Sequence, residues 1–598
     1  MSMLRSEVPV EETWDLTDLF PTTEAWEKAL QEVQEDADAL LSYKDTLTES
    51  AANMAACLTD YENVQLKMIR VSTYASLSMS GDGSDPVNQS NAAKVAAVFA
   101  AIGAKVSFIE SELLTCSKET IDSFLAEEEK LQPFKKMLSD LLERKPFILH
   151  PEVEEALASL QEIHSAPYMI YGRSKFSDMT FDSITDEEGN TLPMSFSAYE
   201  DRYEFSPNTH IRRSAFDSFV HTLNQYKNTF AATYATEVNK QVALSRLRGY
   251  ESVTHMLLEP QQVTEEMYEN QLNVILEELA PHMRRYAKLK QKQLGVDDMR
   301  FCDLQVSLDP EFHPDTSYEE ATDIIKNALS VMGPEYSEMV DRAFKERWID
   351  YAENKGKSTG AFCSSPYGVH PYILITWTDT MRGAFTLAHE IGHAGHFYLA
   401  QKNQALVNTR PSTYFIEAPS TMNEMLLADY LLKQPYDDRM KRWVVDQILG
   451  TYYHNFVTHL LEAEYQRRVY RLAEDGVPIT ANLLSEQKQE TLENFWGDAV
   501  TIDEGASLTW MRQPHYYMGL YPYTYSAGLT VSTAVAKQIK EEGQPAIDRW
   551  LDVLKSGGTL KPLDLIKKAG VDMSKPDAIQ DAVAYVGSLI DDLEKSFS

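Results

Sequence analysis

Residues 386–396 read Thr386-Leu387-Ala388-His389-Glu390-Ile391-Gly392-His393-Ala394-Gly395-His396. Within them stands His-Glu-x-x-His, the spacing at which one helix presents two imidazoles to a single zinc ion. Residues four apart on an α-helix share a face, one turn above each other. His389 and His393 can therefore converge on one ion, while Glu390 points to the side, where it can hold a metal-bound water. Asp379 and Thr380 offer capping side chains, and Phe385, Ala388 and Ile391 form an apolar face. The helix is expected to end near Gln401.

Catalytic zinc takes three protein ligands and keeps a fourth position open. His396 is the nearest further candidate, but on a straight helix it stands roughly 10.5 Å along the axis from His389, too far for three ligands to close on one tetrahedral centre. It reads as a packed histidine or as one that supports the ligands from behind. The metzincin pattern requires Gly at 396 and His at 399; this chain has His396 and Leu399, which excludes that class. A second block, Phe415-Ile416-Glu417-Ala418-Pro419-Ser420-Thr421-Met422-Asn423-Glu424, offers a carboxylate instead. Glu417 follows His393 by 24 residues, enough for the chain to turn and lay a second helix alongside. Pro419 suits the first turn of that helix. Glu424, seven residues on, can face the same way. Glu417 is assigned to the metal, and Glu424 to accepting the ring N–H of a ligand histidine; the plainer alternative for Glu424 is an exposed helix carboxylate.

Outward from this centre the chain reads as mainly α. With 598 residues it is long enough for more than one lobe. Ala29, Leu30, Val33, Ala37 and Leu40 recur at helical spacing, and 61–80, 87–113 and 117–144 behave likewise. Trp14 and Phe20 pin an N-terminal segment. Phe176–Phe181 and Leu192–Phe196 read as a β-hairpin around a Gly-containing turn, with a domain junction near residue 200. This divides the chain into an N-terminal helical lobe, 1–200, and a catalytic domain, 201–598. Helices resume at Ser206 and run to about Leu294, broken at Pro260 and Pro281. Strands are expected at 299–308, Thr359–Ser364 and Pro371–Trp377, forming a small sheet just before the zinc helix. It reads equally as core strand or as an edge that could bind an extended peptide through backbone groups. Gly356-Lys357-Ser358 only mimics a phosphate-binding loop, because position 351 is Tyr where the motif needs Gly.

A net charge of −36 disfavours nucleic acid as a partner. It reads as a solvated surface or as a field attracting basic peptides. Cys57, Cys116, Cys302 and Cys363 show no paired spacing, which suits a reducing compartment. The N-terminus lacks a signal-like apolar segment, and the best apolar run, Ala92–Ala104, is interrupted by Lys94 and too short to span a bilayer. The protein is therefore expected to be cytoplasmic, with no membrane partner.

His-Glu-Ile-Gly-His followed by Phe-Ile-Glu-Ala-Pro-Ser resembles the thimet oligopeptidase family of zinc metallopeptidases, of the gluzincin type. Thr13-Trp14-Asp15-Leu16, Gly360-Ala361-Phe362-Cys363 and the Tyr-rich run His515–Tyr525 resemble its bacterial oligoendopeptidase F branch. The resemblance covers essentially the whole chain. It implies a two-lobed helical body with a deep channel, one Zn2+ per chain on its floor, and endopeptidase action on short unstructured peptides by a monomer. It carries the zinc ligands to His389, His393 and Glu417, and the catalytic glutamate to Glu390. It implies that His515 and Tyr525, with Tyr521 next, bind substrate and transition state; the plainer alternative, that the tyrosines of this run line a core, is expected to hold for at least two of the five. The competing readings are a dipeptidyl carboxypeptidase-type zinc exopeptidase and a zinc-containing peptide-binding protein without turnover.

Overall fold

Apolar stripes at helical spacing account for most of the architecture. In the computed structural model, which describes residues 3–597, the first long helix, Thr23–Ala39, starts where the Thr22 hydroxyl accepts the Ala25 N–H and buries Trp26, Leu30, Val33 and Ala37. It packs with Ala51–Gly81 and Pro86–Leu113 around an apolar cluster that includes Val64, Val71, Val95 and Ile102. A second N-terminal cluster gathers Leu47, Leu58, Phe108, Leu131 and Leu138. One continuous core, by contrast, runs from Tyr171 to Leu593. Its longest helix, Thr209–Arg248, ends at Gly249, whose φ of 78° is the left-handed conformation that glycine adopts without strain.

The helix Pro86–Leu113 is longer than the Ala92–Ala104 run on which the sequence reading relied. It is the one helix among the described residues that is long and apolar enough to cross a membrane by length and composition alone.

Strands are few and short. β1 (Ile184–Thr185) and β2 (Thr191–Leu192) form an antiparallel hairpin. Asp186 closes its turn by accepting the N–H groups of Glu188 and Asn190. The strand expected at Phe176–Phe181 is absent; Ser174–Asp178 is instead a π-helical turn and Phe176 is exposed. β3 (Ile349–Asp350), β4 (Phe362–Ser364) and β5 (Tyr372–Leu374) make a three-stranded sheet in the order β3-β5-β4, with β3 parallel and β4 antiparallel to β5. Trp14 packs on Phe362 and Tyr372, so the N-terminal segment braces this sheet. Lys357, from the false phosphate-loop motif, is buried in a structural knot. Its ammonium bonds the carbonyls of Ala352 and Ile375 and pairs with Asp350, which also takes Arg5.

The strand expected at 299–308 does not form. Residues 301–303 make a 3-10 turn, and Arg300 touches Thr501 in an isolated bridge. Alternate residues Cys302, Leu304, Val306 and Leu308 are still buried. Other groups satisfy this backbone and its polar side chain: Lys290 donates to the Leu304 carbonyl, and buried Asp303 accepts from Arg212 and Arg213.

Candidate metal centre

β5 leads through Asp379 into the helix Met381–Asn403, where the Thr380 hydroxyl accepts the Gly383 N–H. Most of this helix is buried, including Ala384, Leu387, Ala388, Ile391 and Leu399. Arg382 near its start and Lys402 and Asn403 at its end are exposed, and a strip near its middle that includes Thr386, His389 and His393 is half-buried. The side chains of His389 and His393 keep 25% and 14% exposure, so a cleft reaches the two imidazoles.

The second helix, Ala418–Lys433, crosses the first at Gly392. A Cβ at Gly392 would lie 2.4 Å from the Pro419 carbonyl oxygen and 2.6 Å from Ser420 Cα. Glycine is the residue that lets the backbones approach this closely. A third helix, Tyr523–Glu542, closes on the same spot, where a Cβ at Gly528 would meet Glu417 Cβ at 2.9 Å. Glu417 is thus wedged between helices at a fixed height beside the two histidines.

Glu417 Oε2 lies 3.4 Å from His389 Nε2 and 3.4 Å from His393 Nε2. A tetrahedral ion with bonds of about 2.0–2.1 Å separates its ligands by about 3.3–3.4 Å. Two imidazole nitrogens and a carboxylate oxygen therefore stand at the spacing a zinc-sized ion requires, and this group can hold a metal ion. Burial alone would raise the Glu417 carboxyl, but its contacts with His389 and His393 hold it well below the usual range. Glu424 Oε1 lies 2.6 Å from His389 Nδ1, and its Oε2 accepts the Thr451 hydroxyl at 2.8 Å. The carboxylate accepts Nδ1–H and leaves Nε2 directed at Glu417.

Glu390 is 6% exposed. Burial pushes its carboxyl upward, partly offset by His389 and His393. Its charge is felt by Cys363 on β4, so the sheet's outer strand runs beside it. Among the described residues no strand pairs with the free edge of β4. His396 is not among the residues that converge on one point with Glu417; it is fully buried against Phe397 and Phe415, with neither ring nitrogen hydrogen-bonded.

The Tyr-rich segment divides. Tyr516 and Tyr523 are core residues; Tyr523 donates to Gln261. His515, Tyr521 and Tyr525 instead form a half-buried group with ring centroids 5.0–5.8 Å apart. The Tyr521 and Tyr525 rings meet edge to face, and both hydroxyls sense the Glu417 charge. The sequence reading brought these residues to the site but missed His454, His459 and Glu462 behind them. The signal available was His-x-x-Glu at 459–462, one turn apart on a helix.

The model of peptidase family M3 matches residues 203–585, and that of oligopeptidase F matches residues 112–181. The chain is 32% identical over 591 residues to oligopeptidase PepF of Bacillus subtilis, covering 99% of this chain and 88% of the relative. It is 30% identical over 595 residues to group B oligopeptidase PepB of Streptococcus agalactiae, covering 99% and 98%. The crystal structure of oligoendopeptidase-F from Enterococcus faecium superposes with a TM-score of 0.75 at 25% identity, over 96% of this chain and 99% of that one.

Proposed function

The chain belongs to peptidase family M3, and on that premise we propose that it is a zinc-dependent endopeptidase that cuts internal bonds of short oligopeptides. The observation that carries this reading is the pair of 3.4 Å separations around Glu417 Oε2, with the buried Glu390 carboxyl on the residue next to His389.

Bound among His389, His393 and Glu417, zinc supplies a Lewis acid that polarises a peptide carbonyl and acidifies water. Glu390 takes the proton of the attacking water and hands it to the leaving amine nitrogen; its raised pKa makes it the stronger base. Glu424 holds His389 in the tautomer that leaves Nε2 unprotonated, with its lone pair free for the metal. Tyr525 and His515, with Tyr521 beside them, hydrogen-bond the oxyanion that develops on the carbonyl. The free edge of β4 pairs with the peptide backbone, which gives affinity with little side-chain selectivity. An extended, unstructured chain fits such an edge; a folded domain does not. In this reading residues 1–200 are the N-terminal lobe, 201–598 the catalytic domain, and the enzyme is a cytoplasmic monomer.

The test is digestion of a peptide mixture of graded length, with and without a chelator, and mass spectrometry of the products. Chelator-sensitive cuts at internal bonds are expected. Successive loss of dipeptides from one end would replace this reading with an exopeptidase.

A further inference from the structure

The helix that supplies Thr451 does not continue as a regular α-helix. Between Asp438–Tyr452 and His459–Glu474 lies one π-turn, Tyr453–Thr458, in which the His459 N–H donates to the His454 carbonyl. On an α-helix residues five apart diverge by about 140° around the axis; the wider π-turn brings them onto one side, and such turns recur at functional sites. His454 and His459 thereby come together with their Nε2 atoms 3.0 Å apart. His454 is exposed while His459 is only 3% exposed.

His459 is held from behind. Its Nδ1 lies 2.8 Å from Glu462 Oε2, one helical turn further on. Burial opposes the Glu462 charge, but His459, Lys488 and Gln513 together hold its carboxyl down to about 2. An ionised carboxylate only accepts, so His459 carries its proton on Nδ1. The same Gln513 accepts the backbone N–H of His515 at 3.4 Å. On its other side the His459 ring lies flat on Tyr525, with centroids 4.1 Å apart and planes inclined by 13°. The His515 ring stands 5.3 Å away.

We propose that His459 is a positioning residue: anchored by Glu462, its ring is the wall that holds Tyr525, and His515 beside it, toward the Glu417 end of the metal centre. This rests on Tyr525 and His515 acting as oxyanion donors. The rival is a second metal ion, since donor atoms of His459, Glu462 and His515 all lie within 4.8 Å of one another. The contact distances favour the anchor. The 2.8 Å between His459 and Glu462 is a hydrogen-bond length, whereas ligands of a tetrahedral zinc stand about 3.3 Å apart.

The experiment uses the full-length protein and compares His459→Phe, Glu462→Gln, Tyr525→Phe and the double variant His459→Phe/Tyr525→Phe. Phenylalanine keeps a flat ring against Tyr525 but loses the Nδ1–H anchor. Each single variant is expected to lower kcat about 10- to 100-fold with KM changed less than about twofold, and bound zinc should stay at one per chain. In the Tyr525→Phe background His459→Phe should add less than about threefold, because both remove one contribution. Unchanged kcat in His459→Phe and Glu462→Gln overturns the proposal, as do multiplicative effects in the double variant. Two zinc ions per wild-type chain, one of them lost in His459→Phe, would make His459 a ligand instead. A readout independent of turnover is the 19F resonance of 3-fluorotyrosine installed at Tyr525, expected to shift and broaden in Glu462→Gln. If the wild type cuts no peptide, the peptidase reading fails. The fluorine signal then still decides whether Glu462 and His459 hold the ring, and an unmoved signal rejects the wall.

Discussion

Glu424 Oε1 and His389 Nδ1 lie 2.6 Å apart, and through this contact a carboxylate seven residues beyond Glu417 sets the direction of the His389 ring. Glu424→Gln keeps the shape but turns an obligate acceptor into a group that also donates. Zinc affinity should fall about 10- to 100-fold, measured by competition with a chromogenic chelator. Activity should recover at saturating zinc. Unaltered affinity would show that Glu424 does not orient His389.

Glu390 stands beside the ligands but contributes no ligand atom to the group His389, His393 and Glu417. Glu390→Gln is expected to leave bound zinc at one per chain and to lower kcat by about 10²- to 10⁴-fold, the range for removing a general base. A variant that keeps its turnover rejects the assigned base.

Gly392 is where two helices touch, and the Cβ of an alanine there would stand 2.4 Å from the Pro419 oxygen. Relief must come from backbone displacement, because both partners are main chain. Gly392→Ala should destabilise the protein by about 1–3 kcal/mol or more and shift Glu417 off the histidines. Zinc content and the urea midpoint should fall together.

His396 is buried with both nitrogens unpaired. Burial, with a smaller push from His393, lowers its pKa to about 3, against an unfolded value of 6.5. Between these values the unfolded chain binds the proton and the folded one does not. The folded state is therefore fully favoured above about pH 6.5, and that stability is lost as pH falls toward 3. His515, lowered chiefly by burial to about 4, adds in the same direction. His396→Leu should raise stability by about 1 kcal/mol by removing unsatisfied polar atoms, and should flatten the loss of stability between pH 6 and 4. Retained zinc and turnover in this variant would separate His396 from the centre; loss of bound zinc would give it a role there.

The clustering of these side chains was legible because it follows helix arithmetic: His389 and His393 at i, i+4, and Glu424 seven residues beyond Glu417, which caps the next helix. The glycine between the histidines carried a further clue, that a backbone must come close. The residues behind the site were hidden for a geometric reason. His454 and His459 are five apart, a spacing that points them in different directions on an α-helix, and only the π-turn brings them together. Strand reading failed where period-two burial had another cause. Cys302, Leu304, Val306 and Leu308 alternate inward, yet Lys290 takes the Leu304 carbonyl and the segment has no ladder. β3 was missed because it is two residues long and is recognisable only from its pairing with β5.

The most direct test of the account is anomalous scattering at the zinc edge from crystals of the wild type and of Glu417→Ala, with metal content measured on the same samples. One zinc peak per wild-type chain, bonded to His389 Nε2, His393 Nε2 and a Glu417 oxygen and lost in the variant, is the predicted result. A wild-type peak away from these three side chains, or one that survives in Glu417→Ala with full occupancy, would contradict it.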